Sequence, residues 1–430
     1  MSVETETSHS VRRVVVASFI GTTIEWYDFF LYGTAAALVF PEIFFPNSDP
    51  QIGTIQAFAT YAVGFFARPV GGVVFSHYGD RLGRKSVLVL TLMLMGVATF
   101  LIGLLPTYAS AGIWAPALLV ALRFVQGFGV GGEWGGAVLM AVEHGHEGKR
   151  GLHASWVQAG VPIGLLLANG VFATVDHLMP DEAFRAWGWR IPFLLGIFLL
   201  GIGLFIRMKI MESPLFEKMT REKRQAKVPV LEVIRKHPKN VLLAMGMRFS
   251  ENASFYIITV IALSYAFDWL KVPRETVYTG VLLGSAVQFF AIPFFGALSD
   301  RLGRRPVYLT GAAIMLGYPF LFFAMLDSRV AWVMWLAITL GLVVHAMMYA
   351  PQAAFFSELF GTNVRYSGAS LGYQLASPFS GGLAPVIAAS LLARFEGQSW
   401  PVSAYLVAMG IITLTSVWLA AETHRHSLED

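Results

Sequence analysis

Four ionisable side chains stand out because they lie deep inside long apolar stretches of the chain: Asp28, Arg68, Arg123 and Arg248. A charged group at membrane depth is costly, so each is a candidate for function and should have a partner. Asp28 lies about 14 residues into the first apolar stretch, roughly 21 Å along a helix, and Arg123 reaches a similar depth from the opposite side. A carboxylate there can bind a proton, and guanidinium groups can grip a carboxylate-bearing solute through paired N–H bonds.

Nearby acidic residues leave alternatives open. Glu25 lies one turn before Asp28 on the same helix face, so it can share or relay a proton, or it can bond to a neighbouring helix instead. Glu251 lies three residues after Arg248, and these two can satisfy each other without any role in transport. Asp28 and Arg123 could likewise form a static ion pair that fixes helix packing.

The composition requires a bilayer around these residues. Of 430 residues, 56% are hydrophobic and only 13% are charged, and the mean hydropathy is +0.61. So few polar residues cannot coat a soluble globule of this length. The absence of cysteine excludes disulfides and cysteine-based metal sites. The net charge of +4 does not come from a basic cluster on a soluble face, so no nucleic-acid partner is expected.

Apolar segments long enough to cross a membrane fill nearly the whole chain. Residues 1–10 lack the pattern of a cleaved signal, so the first segment is predicted to remain as a span. The twelve predicted spans are residues 14–40, 52–77, 86–106, 112–143, 152–176, 189–209, 240–270, 276–298, 306–326, 331–358, 364–393 and 402–421.

A short charged motif occurs twice and divides the chain into halves. GDRLGRK at 79–85 recurs as DRLGRR at 300–305, and a second set of residues around position 150 recurs around position 365 at nearly the same separation. Because six crossings return the chain to the same side, the two halves are predicted to be parallel repeats. The predicted domains are a six-helix bundle (1–209), a cytoplasmic linker (210–239) and a second six-helix bundle (240–430).

The positive charges predict the orientation. Most of the 31 Lys and Arg residues fall in loops on the side of both termini, with the densest group between Arg207 and Lys239. Basic loops are retained in the cytoplasm. The sequence therefore predicts a multi-pass protein of the bacterial inner membrane with both termini in the cytoplasm.

The paired loops resemble the signature between spans 2–3 and 8–9 of the major facilitator superfamily. Finer motifs resemble its bacterial metabolite:proton symporter branch, namely EWYDF at 25–29, GGEWGG at 131–136, ESP at 212–214 and GGLAP at 381–385. The resemblance implies an all-α integral membrane fold with twelve transmembrane helices in two pseudo-symmetric six-helix bundles. It also implies proton-coupled uptake, in a branch that includes carriers of shikimate, 2-oxoglutarate, citrate, and proline or betaine. Osmolyte carriers of the branch typically add a long C-terminal coiled coil, which this sequence lacks, so osmolyte uptake is less expected.

The resemblance also places Asp28 and Arg123 at the protonation switch of proton-coupled relatives. Protonation of the carboxylate would cancel its attraction to the guanidinium and free the arginine for an anionic solute. Deprotonation would restore the pair and favour release. The predicted proton-coupling residues are therefore Asp28, Arg123 and Glu25.

The repeat sets Asp28 against Arg248 and Arg68 against Gln288, so the halves differ in charge where a solute would bind. Polar and aromatic side chains of the spans that line the pore in this superfamily complete the predicted cavity, although such residues are often packing residues instead. His345 could titrate near neutral pH, but a neutral, hydrogen-bonded imidazole is expected. The predicted substrate-binding residues are Arg123, Arg248, Arg68, Tyr27, Trp156, Gln158, Tyr256, Tyr373 and Gln288.

The repeated motif is predicted to be a cytoplasmic gate. Asp300 can accept from backbone N–H groups at the start of span 5, and Arg304 can reach Glu358, while the first half would make matching contacts with span 11 and Glu143. A basic retention signal is the alternative, but it explains neither the aspartate nor the glycines. The predicted gate residues are Asp80, Arg81, Arg84, Glu143, Arg150, Asp300, Arg301, Arg304, Glu358 and Arg365.

These features predict a secondary active symporter that takes up a small organic anion with protons by alternating access. The solute would be a mono- or dicarboxylate, such as a shikimate- or oxoacid-like metabolite. Alternatives are a proton antiporter that exports amphipathic compounds, a symporter of a zwitterionic osmolyte, and a membrane sensor. No nucleophile–base set or metal cluster is visible, and the glycine-rich stretch at 127–136 lacks the ending of a phosphate loop, so no enzyme, metal or cofactor is expected. The expected partners are the carboxylate, protons and the lipid bilayer, and the chain is expected to be a monomer.

Overall fold

The computed structural model describes residues 2–82, 84–144, 148–208, 229–360 and 365–425, and their side chains except at 2–14, 76–85, 140, 143–144 and 229–230. All regular structure in these ranges is helical. The first six long helices are α1 (Ser2–Leu38), α2 (Pro50–Leu82), α3 (Arg84–Gly103), α4 (Trp114–Gly131, continued as Trp134–His144), α5 (Arg150–Gln158, continued as Gly160–Leu178) and α6 (Ile191–Met208).

The second six helices follow the predicted linker, of which residues 210–228 lie outside the described residues. They are α7 (Pro238–Tyr256, continued as Ile257–Ile261, Ala262–Ser264 and Tyr265–Trp269), α8 (Arg274–Leu302), α9 (Arg304–Asp327), α10 (Ala331–Glu358), α11 (Arg365–Ser377, continued as Pro378–Gly382 and Leu383–Arg394) and α12 (Trp400–Leu419). Short connecting helices cover Phe40–Phe44, Tyr108–Ala111, Asp181–Ala186, Gly188–Arg190 and Pro229–Lys236.

Of the twelve long helices, ten are long and apolar enough in their described residues to cross a membrane, and the other two are α1 and α7. Both carry buried ionisable residues at mid-length, Glu25 and Asp28 in α1 and Arg248 and Glu251 in α7. Charged groups at a helix centre strongly lower its suitability for a bilayer. These two helices nevertheless pack inside the bundle as the remaining spans, because other helices cover their polar faces.

The same three helix pairings occur in each half. In the first half α1 packs on α5, α2 on α4 and α3 on α6, and in the second half α7 packs on α11, α8 on α10 and α9 on α12. The interface between the halves is also symmetric, since α2 packs on α11 and α5 packs on α8. The fold is therefore two pseudo-symmetric six-helix bundles, as the sequence predicted.

Small residues bring α2 and α4 into close contact. A Cβ added to Gly127 would overlap the backbone carbonyl of Gly64, and one added to Gly131 would overlap the carbonyl of Arg68. Such glycines let two helix backbones approach closely in a membrane. This packing fixes the position of the Arg68 backbone beside α4, which also carries Arg123.

Helices α7 and α11 depart from α-helical geometry near the middle of the bundle. Residues 257–261 and 265–269 of α7 and residues 378–382 of α11 form π-helical turns. π-Helical turns often occur at functional sites because they redirect neighbouring side chains. Here Asn252 on α7 donates from Nδ2 to Ser380 Oγ of α11 at 2.9 Å.

Candidate solute and proton site

Two arginines of the first half lie against aromatic rings. The Cζ atom of Arg68 is 4.3 Å from the ring centroid of Phe29 and 4.5 Å from that of Phe65. The Cζ atom of Arg123 is 4.2 Å from the centroid of Phe29 and 4.5 Å from that of Tyr61. Each desolvated contact between a cation and an aromatic face can contribute about 2 kcal/mol. The rings therefore offset part of the cost of burying these two charges.

Several polar atoms of this aromatic cluster have no hydrogen-bond partner among the described residues. They include Nε and Nη1 of Arg68, Nη2 of Arg123, and the hydroxyls of Tyr61 and Tyr256. Tyr256 belongs to the second half, and its ring lies 5.1 Å from Phe65 and 5.9 Å from Tyr61. Buried polar groups are almost always hydrogen-bonded, so this cluster of N–H and O–H groups is a candidate place for a solute or water to bind.

Asp28 is buried, but it makes no ion pair with Arg123. Its carboxylate lies beside Thr99 and against the backbone of Gly196. Gln126 donates to Thr99 Oγ1 at 2.7 Å and accepts from Arg123 Nη1. Thr99 and Gln126 therefore separate the two residues that the sequence analysis expected to form a direct pair. The coupling role of Asp28 and Arg123 stays a prediction.

Glu25 lies in a second charged cluster of the first half. It interacts electrostatically with Arg68 and Arg207, and Arg207 forms a buried ion pair with Glu133 of α4. Arg207 also donates from Nη1 to the carbonyl of Leu88 at 2.5 Å. Arg207 was not predicted as a site residue because it directly precedes the basic linker in the sequence. The signal that could have identified it is Glu133, a carboxylate deep in an apolar span that required a cation.

The second half contains a continuous polar network. Arg248 Nη1 donates to Glu251 Oε2 at 3.0 Å and to Gln352 Oε1 at 3.1 Å. Glu251 Oε1 lies 3.1 Å from His345 Nε2, and His345 Nδ1 lies 2.7 Å from Gln288 Nε2. The pairing of Arg248 with Glu251, which the sequence left as an alternative, is therefore present. His345 and Gln288 extend the Arg248–Glu251 pair into a larger network.

A small cavity lies where this network meets the first half. Its volume is about 10 Å³, enough for about one water molecule. Arg248 covers one end of it, with Cζ 3.2 Å from the ring centroid of Tyr373, and that ring stacks on Trp134 at 3.8 Å. The cavity is lined by Trp26, Val161, Arg248, Glu251, Asn252, Phe255, Tyr256, His345, Tyr349 and Tyr373.

Some predicted substrate-binding residues do not line this cavity. The hydroxyl of Tyr27 donates to the carbonyl of Pro192 at 2.6 Å, inside the first half. Trp156 is 38% exposed, and its ring packs edge-on against Phe289 at the interface of α5 and α8. Gln158 reaches across the halves and donates to a backbone carbonyl of α10. These three side chains have structural contacts here, and their role in binding stays a prediction.

The second copy of the repeated motif joins the halves at one end of the bundle, which we call the Asp300 end. Asp300 accepts hydrogen bonds from the backbone N–H groups of Gly151 and Leu152 at the start of α5, at 2.8 and 2.9 Å. Arg304 donates to Asp300 at 2.7 Å and forms a two-bond pair with Glu358 at 3.0 and 3.2 Å. The structure thus contains the contacts that the sequence predicted for this copy.

The segment after α12 reinforces the same end. Glu422 accepts from the backbone N–H groups of Arg304 and Arg305 at 3.0 and 2.9 Å, and Thr423 donates to Glu358 at 2.7 Å. Burial raises the pKa of Glu422, but four backbone N–H donors outweigh this and hold the pKa below its usual range. Gly303 has a φ of 103°, and a Cβ there would lie 2.7 Å from Glu422 Oε2, so this position requires glycine.

The remaining predicted gate residues differ in their surroundings. Arg301 is exposed, whereas Arg150 and Arg365 are buried. Arg365 donates from Nε to the carbonyls of Ser357 and Phe360 at 2.9 and 3.2 Å, which ties the start of α11 to the end of α10. Four predicted gate residues have side chains outside the described residues, namely Asp80, Arg81, Arg84 and Glu143.

The opposite end, which we call the Arg274 end, is also joined across the halves. Arg274 at the start of α8 lies 3.7 Å from Asp176 near the end of α5, and Glu275 lies 3.4 Å from His177. Helices α5 and α8 thus touch at both ends of the bundle. Together with the small central cavity, these contacts describe a conformation that is closed at both ends.

Two like bundles of membrane-spanning helices, with a polar cavity at their interface and contacts that can open at either end, define a membrane carrier. The chain belongs to the Major Facilitator Superfamily, whose family model matches residues 18–385 and 281–429. It is 44% identical to the shikimate transporter of Escherichia coli strain K12, over 96% of this chain and 95% of that protein. It is 42% identical to the inner membrane metabolite transport protein YhjE of the same strain, over 98% and 96% of the two chains.

More distant relatives and solved structures agree with this assignment. The proline/betaine transporter of Salmonella typhimurium is 32% identical over 97% of this chain and 85% of that protein. The fold is similar to that of the proton:xylose symporter XylE bound to 6-bromo-6-deoxy-D-glucose, with a TM-score of 0.75 and 16% identity over 98% of both chains. The chain is therefore a multi-pass membrane transporter and not an enzyme.

Proposed function

We propose that this transporter couples the uptake of a small organic anion, a mono- or dicarboxylate, to protons. The observation that carries this proposal is a group of buried guanidinium N–H donors, on Arg68, Arg123 and Arg248, that have no partner among the described residues. Guanidinium groups bind carboxylates through paired, charge-assisted hydrogen bonds. The free hydroxyls of Tyr61 and Tyr256 are suited to further polar groups on the solute, such as hydroxyl or keto oxygens.

Charge balance supports coupling to protons. Apart from His345 and the predicted gate residues, the described buried charged side chains are four arginines and four carboxylates. They are Arg68, Arg123, Arg207 and Arg248, and Glu25, Asp28, Glu133 and Glu251. A solute carboxylate that enters alone adds an uncompensated negative charge to a low-dielectric interior, which is strongly unfavourable. A proton taken up with each carboxylate restores neutrality. We therefore expect one proton for each negative charge on the solute.

The alternatives fit these contacts less well. A zwitterionic osmolyte carries a cationic group, which aromatic faces can bind, but Arg68 and Arg123 already lie against those faces. An exporter of amphipathic compounds favours an apolar pocket of low charge, whereas this cavity is lined by Arg248, Glu251 and His345. The similarity to a shikimate transporter also favours a carboxylate over either alternative.

Alternating access would use the contacts at the two ends. The Asp300 end corresponds to the cytoplasmic side if the basic loops lie in the cytoplasm. Rupture of the Asp300 and Arg304 contacts would then open the cavity inward, and rupture of the Arg274 and Asp176 contacts would open it outward. The central cavity is too small for a solute in this closed form, so binding requires one end to open first.

A ligand screen tests the proposal. Purified full-length protein is heated with shikimate, 2-oxoglutarate, citrate, proline or betaine, and stabilising compounds are then tested for uptake into vesicles with an imposed pH gradient. We expect at least one carboxylate to raise the melting temperature and to accumulate when the vesicle interior is alkaline. The methyl ester of the same carboxylate is the matched control and should do neither. Stabilisation by zwitterions alone would overturn the proposal.

A further inference from the structure

Glu251 already pairs with Arg248, the arginine that a solute carboxylate would need to bind. Glu251 Oε2 accepts from Arg248 Nη1 at 3.0 Å, and both side chains are at most 3% exposed. Arg248 also lines the central cavity, and its Nε has no partner among the described residues. The free edge of the guanidinium is therefore available to a solute, but its positive charge is already balanced by Glu251. A second carboxylate at Arg248 would leave a net negative charge unless Glu251 loses its own.

The other side of Glu251 provides a way to take up a proton. Glu251 Oε1 is 3.1 Å from Nε2 of His345, and Nδ1 of the same imidazole is 2.7 Å from the amide nitrogen of Gln288. If that amide donates to Nδ1, the imidazole is neutral and its Nε2–H points at Glu251. Gln288 Oε1 has no partner among the described residues. After rotation of the amide, this oxygen can accept an Nδ1–H, so the network can hold one more proton.

Few other groups can control the charge of this site. The titratable side chains around the Arg248, Glu251 and His345 network, apart from its own members, are tyrosines from four different helices, namely Tyr256, Tyr308, Tyr349 and Tyr373. A phenol is neutral near physiological pH. Arg68 of the first half interacts electrostatically with Tyr256 and Tyr373, but a guanidinium does not lose its proton in proteins. Among the described residues that face the site, its charge can therefore change only at Glu251 and His345.

We propose that Glu251 and His345 form a second proton-coupling site. In the empty carrier Glu251 pairs with Arg248, and when a proton binds to Glu251 this pair breaks and Arg248 binds the solute. This inference rests on the proposed uptake of a carboxylate. It assigns to the second half a proton-binding role that the sequence predicted for Asp28 and Glu25 in the first half. Proton binding at Glu251 and anion binding at Arg248 would then favour each other. Protonation of Glu251 leaves the positive charge of Arg248 unbalanced, and the bound anion balances it.

The test is the pH dependence of solute affinity. Binding of shikimate, 2-oxoglutarate and citrate to the purified full-length protein is measured by calorimetry between about pH 5 and pH 8. For the wild type we expect tighter binding as the pH falls. For Glu251→Gln we expect tighter binding at high pH, and a pH dependence that is weaker by one proton, which is about a tenfold smaller change in affinity per pH unit.

Three comparisons keep the outcome clear. Glu251→Asp retains a titrating group and should restore the pH dependence. Glu396→Gln makes the same chemical change on an exposed loop of the same half and should behave as the wild type. The double variant Arg248→Gln with Glu251→Gln leaves no unpaired buried charge if the single variant fails to fold. It should bind the solute more weakly, because Arg248 is lost, and without the one-proton dependence, whereas a static pair predicts unchanged binding.

The results distinguish this inference from the proposed function. If folded Glu251→Gln keeps both the affinity and the pH dependence of the wild type, Glu251 is a structural partner and the inference is wrong. Loss of all binding in that folded variant would also overturn it, because Glu251 would then assist the solute and not compete with it. If the wild type binds no carboxylate at any pH, the proposed function itself fails.

Discussion

The substitution Asp300→Asn should shift the transporter towards the form that is open at the Asp300 end. Asp300 accepts from two backbone N–H groups of the other half, Gly151 at 2.8 Å and Leu152 at 2.9 Å, and from Arg304 at 2.7 Å. The two backbone bonds cross the interface between α8 and α5, so they are lost when this end opens. An asparagine keeps one acceptor oxygen but turns an NH₂ group towards the other donor.

The expected magnitude follows from the lost bond. A hydrogen bond to a charged group contributes about 1.5–3 kcal/mol, so the closed form should lose about that much relative to the open form. Because about 1.4 kcal/mol corresponds to a factor of ten, the ratio of open to closed molecules should rise about 10- to 150-fold. The change acts on the conformational equilibrium, because the lost hydrogen bond crosses the interface between the halves and is present only when this end is closed.

Distance measurement between two spin labels can detect this shift. The chain has no cysteine, so Lys149→Cys places one label on the first half and Lys236→Cys places the other on the short helix Pro229–Lys236, which packs on α7 and α11 of the second half. Both positions are exposed and lie near the Asp300 end. We expect Asp300→Asn to add a population at longer distance. The matched control is Asp327→Asn, whose carboxylate binds Tyr265 within the second half at 2.6 Å and should leave the distances unchanged. An unchanged distribution in a folded Asp300→Asn protein would refute the reasoning.

Three further predictions concern proton coupling, packing and the C-terminal contact. Asp28→Asn should abolish uptake driven by a pH gradient into vesicles while solute exchange continues, and gradient-driven uptake at the wild-type level would contradict its role. Gly127→Ala should lower the melting temperature by overpacking α2 against α4, at about 1–3 kcal/mol or more, whereas Gly201→Ala meets nothing within 4 Å and should be neutral or slightly stabilising. Glu422 has a lowered pKa in the folded state, so its contribution to stability is present above its unfolded pKa of about 4.3 and is lost as the pH falls through the folded value. Thermal melts should therefore show Glu422→Gln less stable than the wild type at pH 7, with a difference that disappears in acid; a constant difference would contradict this.

The fold was largely predictable because a bilayer imposes strong constraints. Apolar length predicted twelve spans, and the repeat of residues 79–85 at 300–305 predicted the two halves. The contacts of Asp300 and Arg304 were also predictable, since a helix start offers free N–H groups and the motif repeats the geometry. The least apolar spans, α1 and α7, are the two that carry the central carboxylates.

Side-chain partners were harder to predict because they depend on three or more helices at once. Depth along a helix suggested that Asp28 and Arg123 meet, but depth does not give the rotation of each helix about its axis. In the structure Gln126 and Thr99 lie between the two residues. Arg207 was counted as a loop residue because hydropathy cannot distinguish the last turn of α6 from the linker that follows. The π-helical turns of α7 and α11 have no local signature in the sequence, although the first of them begins directly after Tyr256, which lines the cavity.

The two halves stabilise their buried charges in different ways, and this difference can couple solute movement to protons. In the second half Arg248 and Glu251 are paired, so the site is neutral and stable without a solute. In the first half Asp28 is separated from Arg123, and each has polar atoms without a hydrogen-bond partner in the part of the chain that the structure describes. Separated buried charges are unfavourable, and a proton on Asp28 or an anion beside Arg123 removes only one of them. We therefore expect the closed form to be more stable with both a proton and an anion bound than with either one alone. Such a difference would couple movement of the anion to movement of the proton.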